Sequence, residues 1–416
     1  MKRVLIASFA ALSFSGYSQT APTPAPAAKE WDVSVYGFVR TDYIWDTRKS
    51  AQVREYNLNL YPLDESLDAN GKDINDAGAS NFLSVVSRLG VKAKGPDVWG
   101  AKVSGNLEGD FFGNTEQTIG LFRLRHAYAT LDWTKTSITM GQTWYPTFIP
   151  EVFPGVANFS TGIMFNPFGW ASQFKIKQQL SSKISFAFTA YKEREFTTAA
   201  ATGASQNAAS INSAVPSING VFQYKGKNLL LGAGVEFKSL QPLTVSATNV
   251  VTTEKVNSST VFGYAKYSNE KLSVKAYGIS GGNLYNMVMV GGFIGSTTNG
   301  VQSYDPTKTT AFWLDIASNG KSIAPGLFFG TTKNNGADKS GTAAFGRGIG
   351  VNGARVIDNV WRLSGRVDFK QNKFRISPEL ELTSATWGNA DTHGKATSAF
   401  KDVSNFRAMV SCVYAF

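Results

Sequence analysis

The sequence predicts an all-β protein, a transmembrane antiparallel β-barrel of about sixteen strands with its third external loop folded inward. Three observations predict it. Apolar and polar residues alternate with period two over segments of roughly ten to sixteen residues, longer than the strands of soluble sandwiches. Short turns and long polar connections alternate along the chain, and the chain ends in an amphipathic strand closing on phenylalanine.

Composition narrows the alternatives. Of 416 residues, 43 % are hydrophobic, 13 % aromatic and 17 % charged, with 40 glycines, so charge runs low and glycine high for a globular chain. A mean hydropathy of −0.14 excludes a helical membrane protein. One cysteine excludes an internal disulfide, and His126, His393 and Cys412 are the whole inventory of soft ligands, so neither a metal site nor a cofactor is expected. The formal net charge is +11.

The N-terminus reads as an address. Met1-Lys2-Arg3 is a basic start, Val4 to Leu12 an apolar run, and Gly16 and Ser18 supply the small residues of a cleavage site after Ser18. Residues 1–18 are therefore expected to be a signal peptide. Residues 19–30, rich in Pro and Ala, form a periplasmic leader that cannot pack a core. The barrel spans 31–416.

Within Trp31–Asp46 the odd positions carry Trp31, Val33, Val35, Val39, Tyr43 and Trp45, while Asp32, Ser34, Arg40, Asp42 and Asp46 lie between them. One flank suits hydrocarbon, with aromatics at both ends; the other suits water. The pattern returns in Leu83 to Ala93, Trp99 to Phe111, Phe174 to Ile176, Ile184 to Phe188, Leu229 to Phe237, Trp361 to Phe369 and Phe374 to Leu382. Short turns are expected at Gly95-Pro96-Asp97, Thr134-Lys135, Ser181-Ser182, Gly226-Lys227, Asn269-Glu270, Asn319-Gly320 and Gln371-Asn372. Long connections are expected at 47–80, 112–119, 146–169, 196–214, 240–258, 282–309, 333–357 and 388–403. Pro216, Pro325 and Pro378 fall in predicted strands and require strand ends or bulges, because a closed barrel has no edge.

The final strand sets Phe406, Ala408, Val410, Cys412, Tyr414 and Phe416 on one face. Tyr414 and Phe416 resemble the signal by which the barrel-assembly machinery recognises outer-membrane proteins. A resemblance to a family rests on Phe122-Arg123-Leu124-Arg125-His126-Ala127-Tyr128, Met140-Gly141-Gln142-Thr143-Trp144, Pro325-Gly326-Leu327-Phe328-Phe329-Gly330, Trp361-Arg362-Leu363-Ser364, Ile376-Ser377-Pro378-Glu379-Leu380-Glu381 and the terminal strand. Together these segments resemble the DcaP-like trimeric porins of Gram-negative outer membranes, linked to uptake of dicarboxylates and related anions. The resemblance implies a homotrimer in a bilayer bearing lipopolysaccharide. One feature departs from the family: no heptad repeat lies between Gln19 and Trp31, where members can carry a coiled coil.

Parity assigns Arg40, Arg88, Lys102, Arg123, Arg125, Lys175, Lys177, Arg362, Arg366, Arg375 and Arg407 to the lumen, with fewer acids beside them. A narrow, low-dielectric tube focuses the field of such charges and favours small anionic solutes, and arginine binds carboxylates bidentately. Arg123 and Arg125 stand two apart as a ladder on one strand. The third connection, 146–169, carries one charge, Glu151, among apolar residues including Phe153, Phe159 and Phe165, so it is expected to pack inside the barrel and constrict it. His126 takes the outward parity of Phe122 and Leu124, and His393 falls in a loop, so no nucleophile, base and orienter converge and no enzyme is expected. Basic residues scattered along strands do not form a nucleic-acid patch. The expected function is a passive diffusion channel preferring anions such as (di)carboxylates. The alternative is a non-conducting surface binding protein or adhesin displayed on a barrel.

Overall fold

Neighbouring strands of this chain pair antiparallel until the first meets the last. The computed structural model describes residues 31–416, so the expected signal peptide and leader lie outside the described residues. Sixteen strands close into one barrel. They are β1 (Asp32–Asp46), β2 (Arg88–Val98), β3 (Ala101–Asp110), β4 (Arg123–Asp132), β5 (Thr136–Trp144), β6 (Trp170–Gln179), β7 (Ile184–Glu193) and β8 (Ser217–Lys225). The second half comprises β9 (Leu229–Leu240), β10 (Val256–Ser268), β11 (Leu272–Gly282), β12 (Lys308–Ser318), β13 (Ile323–Gly336), β14 (Arg355–Gln371), β15 (Phe374–Ala390) and β16 (Ala396–Ala415). Closure sets Phe38 opposite Ala415 and Asp46 opposite Arg407, while the other edge of β1 pairs with β2 and with the short strand Ala79–Leu83 above it. Where that second edge is interrupted, the Ser87 hydroxyl accepts from the Arg40 N–H at 3.0 Å and keeps the backbone satisfied.

Burial is inverted relative to a soluble protein. Val33, Val35, Leu107, Phe174, Phe222, Leu327 and Leu380 are exposed, while Asp42, Asp110, Arg125, Glu379 and Arg407 are buried. Apolar side chains on the outside and polar ones within are what a bilayer around a hydrated interior selects. Among the described residues no helix is long and apolar enough to cross a membrane.

Three local expectations change. The turn expected at Gly95-Pro96-Asp97 is a register break inside the β2–β3 ladder, and the chain reverses at Trp99-Gly100 instead. Both residues have positive φ, 51° and 75°, the requirement of a two-residue hairpin whose twist matches its strands. The stretch 388–403, read as a loop, is mostly strand: β15 runs to Ala390 and β16 begins at Ala396. One face of this hairpin is buried through Ala385, Trp387, Ala390 and Ala396, and the polar residues lie on the other, as in the Thr386–Asp402 cross-strand hydrogen bond of 2.6 Å.

The third change is a bulge. Asp110 pairs with Arg123 and Gly109 with Leu124, but Glu108 pairs with His126, leaving Arg125 as the extra residue. Beyond it the inward positions of β4 switch from odd to even. His126, expected outside, is therefore buried, with Nδ1 3.1 Å from Thr143 Oγ1.

The prolines fall where no ladder donor is needed. Pro216 precedes β8, Pro325 lies beyond the last β12 partner of β13, and at Pro378 the β14–β15 ladder skips from Glu379 to Ile376.

The connections at one end are short and those at the other long. Within the long ones, Ser50–Val53 pairs with Leu58–Pro62, and the hairpin Gly291–Thr298 and Val301–Pro306 pairs with Ala343–Arg347.

Candidate functional site

The interior is built by strands supplying charge and loops supplying apolar mass. Leu58 and Leu60 of the first external loop, Ile163, Met164, Phe165 and Phe168 of the third and Met287 to Val290 of the sixth are buried in one cluster. This core joins the connections to residues of the barrel strands, among them Phe262, Tyr277, Trp313, Phe328 and Val360. Tyr61 of the first loop sits within it, and burial pushes its phenol up to about 12, so it packs as a neutral ring.

The third connection is hydrogen-bonded to strand side chains along its length. Tyr277 Oη donates to Thr147 O at 2.8 Å and Lys275 Nζ to Phe153 O at 3.0 Å. The Ala157 N–H donates to Glu379 Oε2 at 2.7 Å, and Arg40 Nη2 to Ala157 O at 2.7 Å. Trp313 Nε1 donates to Asn166 Oδ1 at 3.0 Å. These partners come from β11, β15, β1 and β12, remote from the β5 and β6 stems that launch the connection. Aromatics support it: the rings of Tyr264, Tyr277 and Trp313 stand parallel, 6.4 and 6.2 Å apart, on adjacent strands β10 to β12. Phe165 lies with no exposed surface beside Phe328, and Phe159 packs on Phe112. Phe153 is partly exposed, with Lys275 5.5 Å from its ring centre, and Glu151 is exposed.

The basic residues sort into two groups. Most arginines are neutralised by acids on the wall. Arg123 contacts Asp110 at 2.7 Å and Glu195 at 2.6 Å; Arg125 contacts Glu108 at 2.8 Å and Asp110 at 3.0 Å. Both stack on Trp170. The ladder they were expected to form therefore faces inward but is a buried ion cluster. Arg40 pairs with Asp42, Arg88 with Glu108, Arg366 with Asp315 and Arg407 with Asp46. Arg362, 3.3 Å from Glu381, also donates to Asn59 O at 2.9 Å and so holds the first loop.

The second group keeps its charge unpaired among the described residues. Lys175 and Lys177 line a space between β5–β8 and the segment Trp144–Glu151. Arg375 borders a larger chamber beside the third connection. Lys102 is exposed near the short-turn end, opposite Asp132. The larger chamber gathers Arg40, Arg88, Arg125, Lys266, Lys275, Arg366, Lys370 and Arg375 against the carboxylates of Asp315 and Asp368. Its field is strongly positive even after the paired arginines are set aside.

No protein-family model and no curated protein matches the chain. Solved structures do. The outer-membrane channel DcaP of Acinetobacter baumannii is similar over 93 % of this chain and 97 % of its own, with a TM-score of 0.66 at 17 % identity. The barrel has the porin fold. An anion-selective porin from Comamonas acidovorans matches 93 % of this chain and 100 % of its own, with a TM-score of 0.55 at 13 % identity. OmpF of Salmonella typhi matches 92 % and 97 %, with a TM-score of 0.50 at 13 % identity.

In this porin barrel several interior charges escaped the sequence reading. Lys266, Lys275 and Lys370 are chamber residues, and Glu236 and Lys238 are buried on β9. Parity was sufficient to find the last two, because Val235 and Phe237 beside them are outward. At the seam, the Phe416 N–H donates to Gly37 O at 3.0 Å, and a Cβ on Gly37 would meet the Phe416 ring at 2.8 Å. Tyr414, opposite Val39, faces outward.

Proposed function

We propose that this chain is an outer-membrane diffusion channel of the DcaP-like kind, passing small anionic solutes such as carboxylates and constricted by the segment 146–169. The observation that carries the reading is the basic chamber, in which Lys266, Lys275, Lys370 and Arg375 add to the paired arginines while Asp315 and Asp368 are the acids present. Ions entering a tube with low-dielectric walls feel this field with little screening. The apolar third connection, seated on the Tyr264–Tyr277–Trp313 row, leaves solutes an edge of exposed Phe153 beside Lys275, a combination suited to amphiphilic carboxylates. The DcaP resemblance adds a homotrimer exported across the inner membrane, inserted by the barrel-assembly machinery through Tyr414 and Phe416 and surrounded by lipopolysaccharide. No catalytic role is assigned.

Reconstitution in planar bilayers under a KCl gradient tests this. Stepwise conductance with a reversal potential on the chloride side is the expected result, and a potassium-side potential would refute the anion preference. The dense packing of Leu58, Phe165 and Met287 favours a second reading, a barrel closed by its loops that serves as a surface binding protein. Absence of any conductance steps from correctly folded protein would support that reading instead.

A further inference from the structure

We propose that Lys266, Lys275, Ser268 and Ser273, on the inner wall of β10 and β11, form a binding site for a compact tetrahedral dianion of the phosphate and sulfate class. The proposal deepens the reading of the chain as an anion-favouring channel by naming a class of solute, and it rests on that reading. Lys266 is the direct cross-strand partner of Lys275, and Ser268 of Ser273. Both pairs point inward, because Tyr267 and Leu272 beside them are exposed on the outer face, and all four residues line the larger chamber. Directly opposed residues stand about 5 Å apart and alternate residues of one strand about 7 Å, so two ammoniums and two hydroxyls share one small patch of wall.

The patch lacks the counter-charge its own residues call for. Like charges directly opposite each other in a ladder repel, and neither lysine lies in an ion pair among the described residues. Asp315 stands opposite Lys275 on β12, but its oxygens are already taken by Arg366 Nη1 at 2.8 Å and the Gly155 N–H at 3.1 Å. Glu151, which borders an adjoining space with Lys266, is exposed. Lys275 gives one hydrogen to Phe153 O at 3.0 Å and keeps the others free. The Ser273 hydroxyl is buried and has no hydrogen-bond partner among the described residues. Ser268 Oγ accepts from Asn319 Nδ2 at 3.3 Å, which leaves its own hydrogen free to donate.

A compact dianion suits this set better than a dicarboxylate. It brings two negative charges and several acceptor oxygens to one point, so it relieves the repulsion of Lys266 and Lys275 and satisfies both hydroxyls together. A dicarboxylate spreads its charges along a chain and offers the patch one carboxylate at a time. The site is open to a guest, since Lys266 and Lys275 are partly exposed where they line the chamber, beside the short turn at Asn269-Glu270.

Titration calorimetry on the folded full-length barrel in detergent tests the proposal with sodium phosphate, sodium sulfate and sodium succinate, at about pH 8 where phosphate is mainly doubly charged. Phosphate and sulfate are expected to bind at a concentration about tenfold lower than succinate, the effect of one added charge-assisted hydrogen bond. Sulfate, which carries no hydrogen, should match phosphate because the site supplies only donors. Lys266→Gln is expected to weaken both oxyanions about tenfold and Ser273→Ala about threefold, with little change for succinate. Succinate binding as tightly as either oxyanion, no binding of the oxyanions, or unchanged binding in either variant would overturn the proposal. If K266Q does not form a heat-modifiable barrel, S273A decides, since it deletes one oxygen and no charge. Binding is read here without conductance, so a failed site is distinguished from a failed channel reading, which the reversal potential reports separately.

Discussion

Arg366 Nη1 lies 2.8 Å from Asp315 Oδ1, and the other oxygen of that carboxylate accepts the Gly155 N–H of the third connection at 3.1 Å. One buried ion pair therefore fastens two wall strands to the third connection. Gly155 is required for the approach, because a Cβ there would meet Arg366 Nη2 at 2.4 Å.

Removing that carboxylate should loosen the constriction. Asp315→Ala strands the Arg366 guanidinium, 3 % exposed at its side chain, and breaking a buried pair in this way costs roughly 3–5 kcal/mol. The expected outcome is a lower thermal midpoint for the heat-modifiable barrel together with larger, noisier conductance steps. Steps of unaltered size and noise would show that the segment is held elsewhere.

Selectivity should follow the unpaired cations rather than the paired ones. Lys275→Gln with Arg375→Gln is expected to lower the chloride-to-potassium permeability ratio, most strongly near 0.01 M salt where the Debye length is about 30 Å, and little near 1 M where it is about 3 Å. Arg407→Gln, which breaks the fully buried Arg407–Asp46 pair, should instead reduce folded yield. Reversal potentials at both salt concentrations distinguish the two classes.

Loop seating on the aromatic row offers a further check. A Cβ at Gly330 would fall 2.5 Å from the Phe165 ring, so Gly330→Val should displace Phe165 from beside Phe328. Faster proteolysis within 146–169 in the folded barrel is the predicted readout, with resistance equal to the parent protein as the contrary result.

Closure of the barrel depends on Gly37. Its missing Cβ lets the Arg88 carbonyl approach to 2.2 Å of that position and the Phe416 ring to 2.8 Å, so Gly37→Val should block pairing of β1 on both edges. Strong loss of the heat-modifiable form on gels is expected, and normal assembly would show that the seam tolerates bulk.

Much of this architecture was legible in the sequence because a bilayer imposes a rule on each residue separately. Val35 and Phe174 must face hydrocarbon and Arg40 and Glu379 must not, so period two alone assigns their sides. The turn chemistry at Asn269 and Asn319 and the length of 146–169 are equally local. His126 was misassigned because one bulged residue, Arg125, reverses parity, and nothing in the local pattern marks where a ladder slips.

The sequence by itself determined the barrel, the direction of its connections and an interior rich in arginine. Only the tertiary structure decided which of those arginines are spent on Asp46, Asp110 and Asp315 and which cations, Lys175, Lys275 and Arg375 among them, face open space. The physical reason is range. Facing lipid or water is a property of one position, whereas neutralising a charge needs a second group brought within a few ångströms by strand register and loop path.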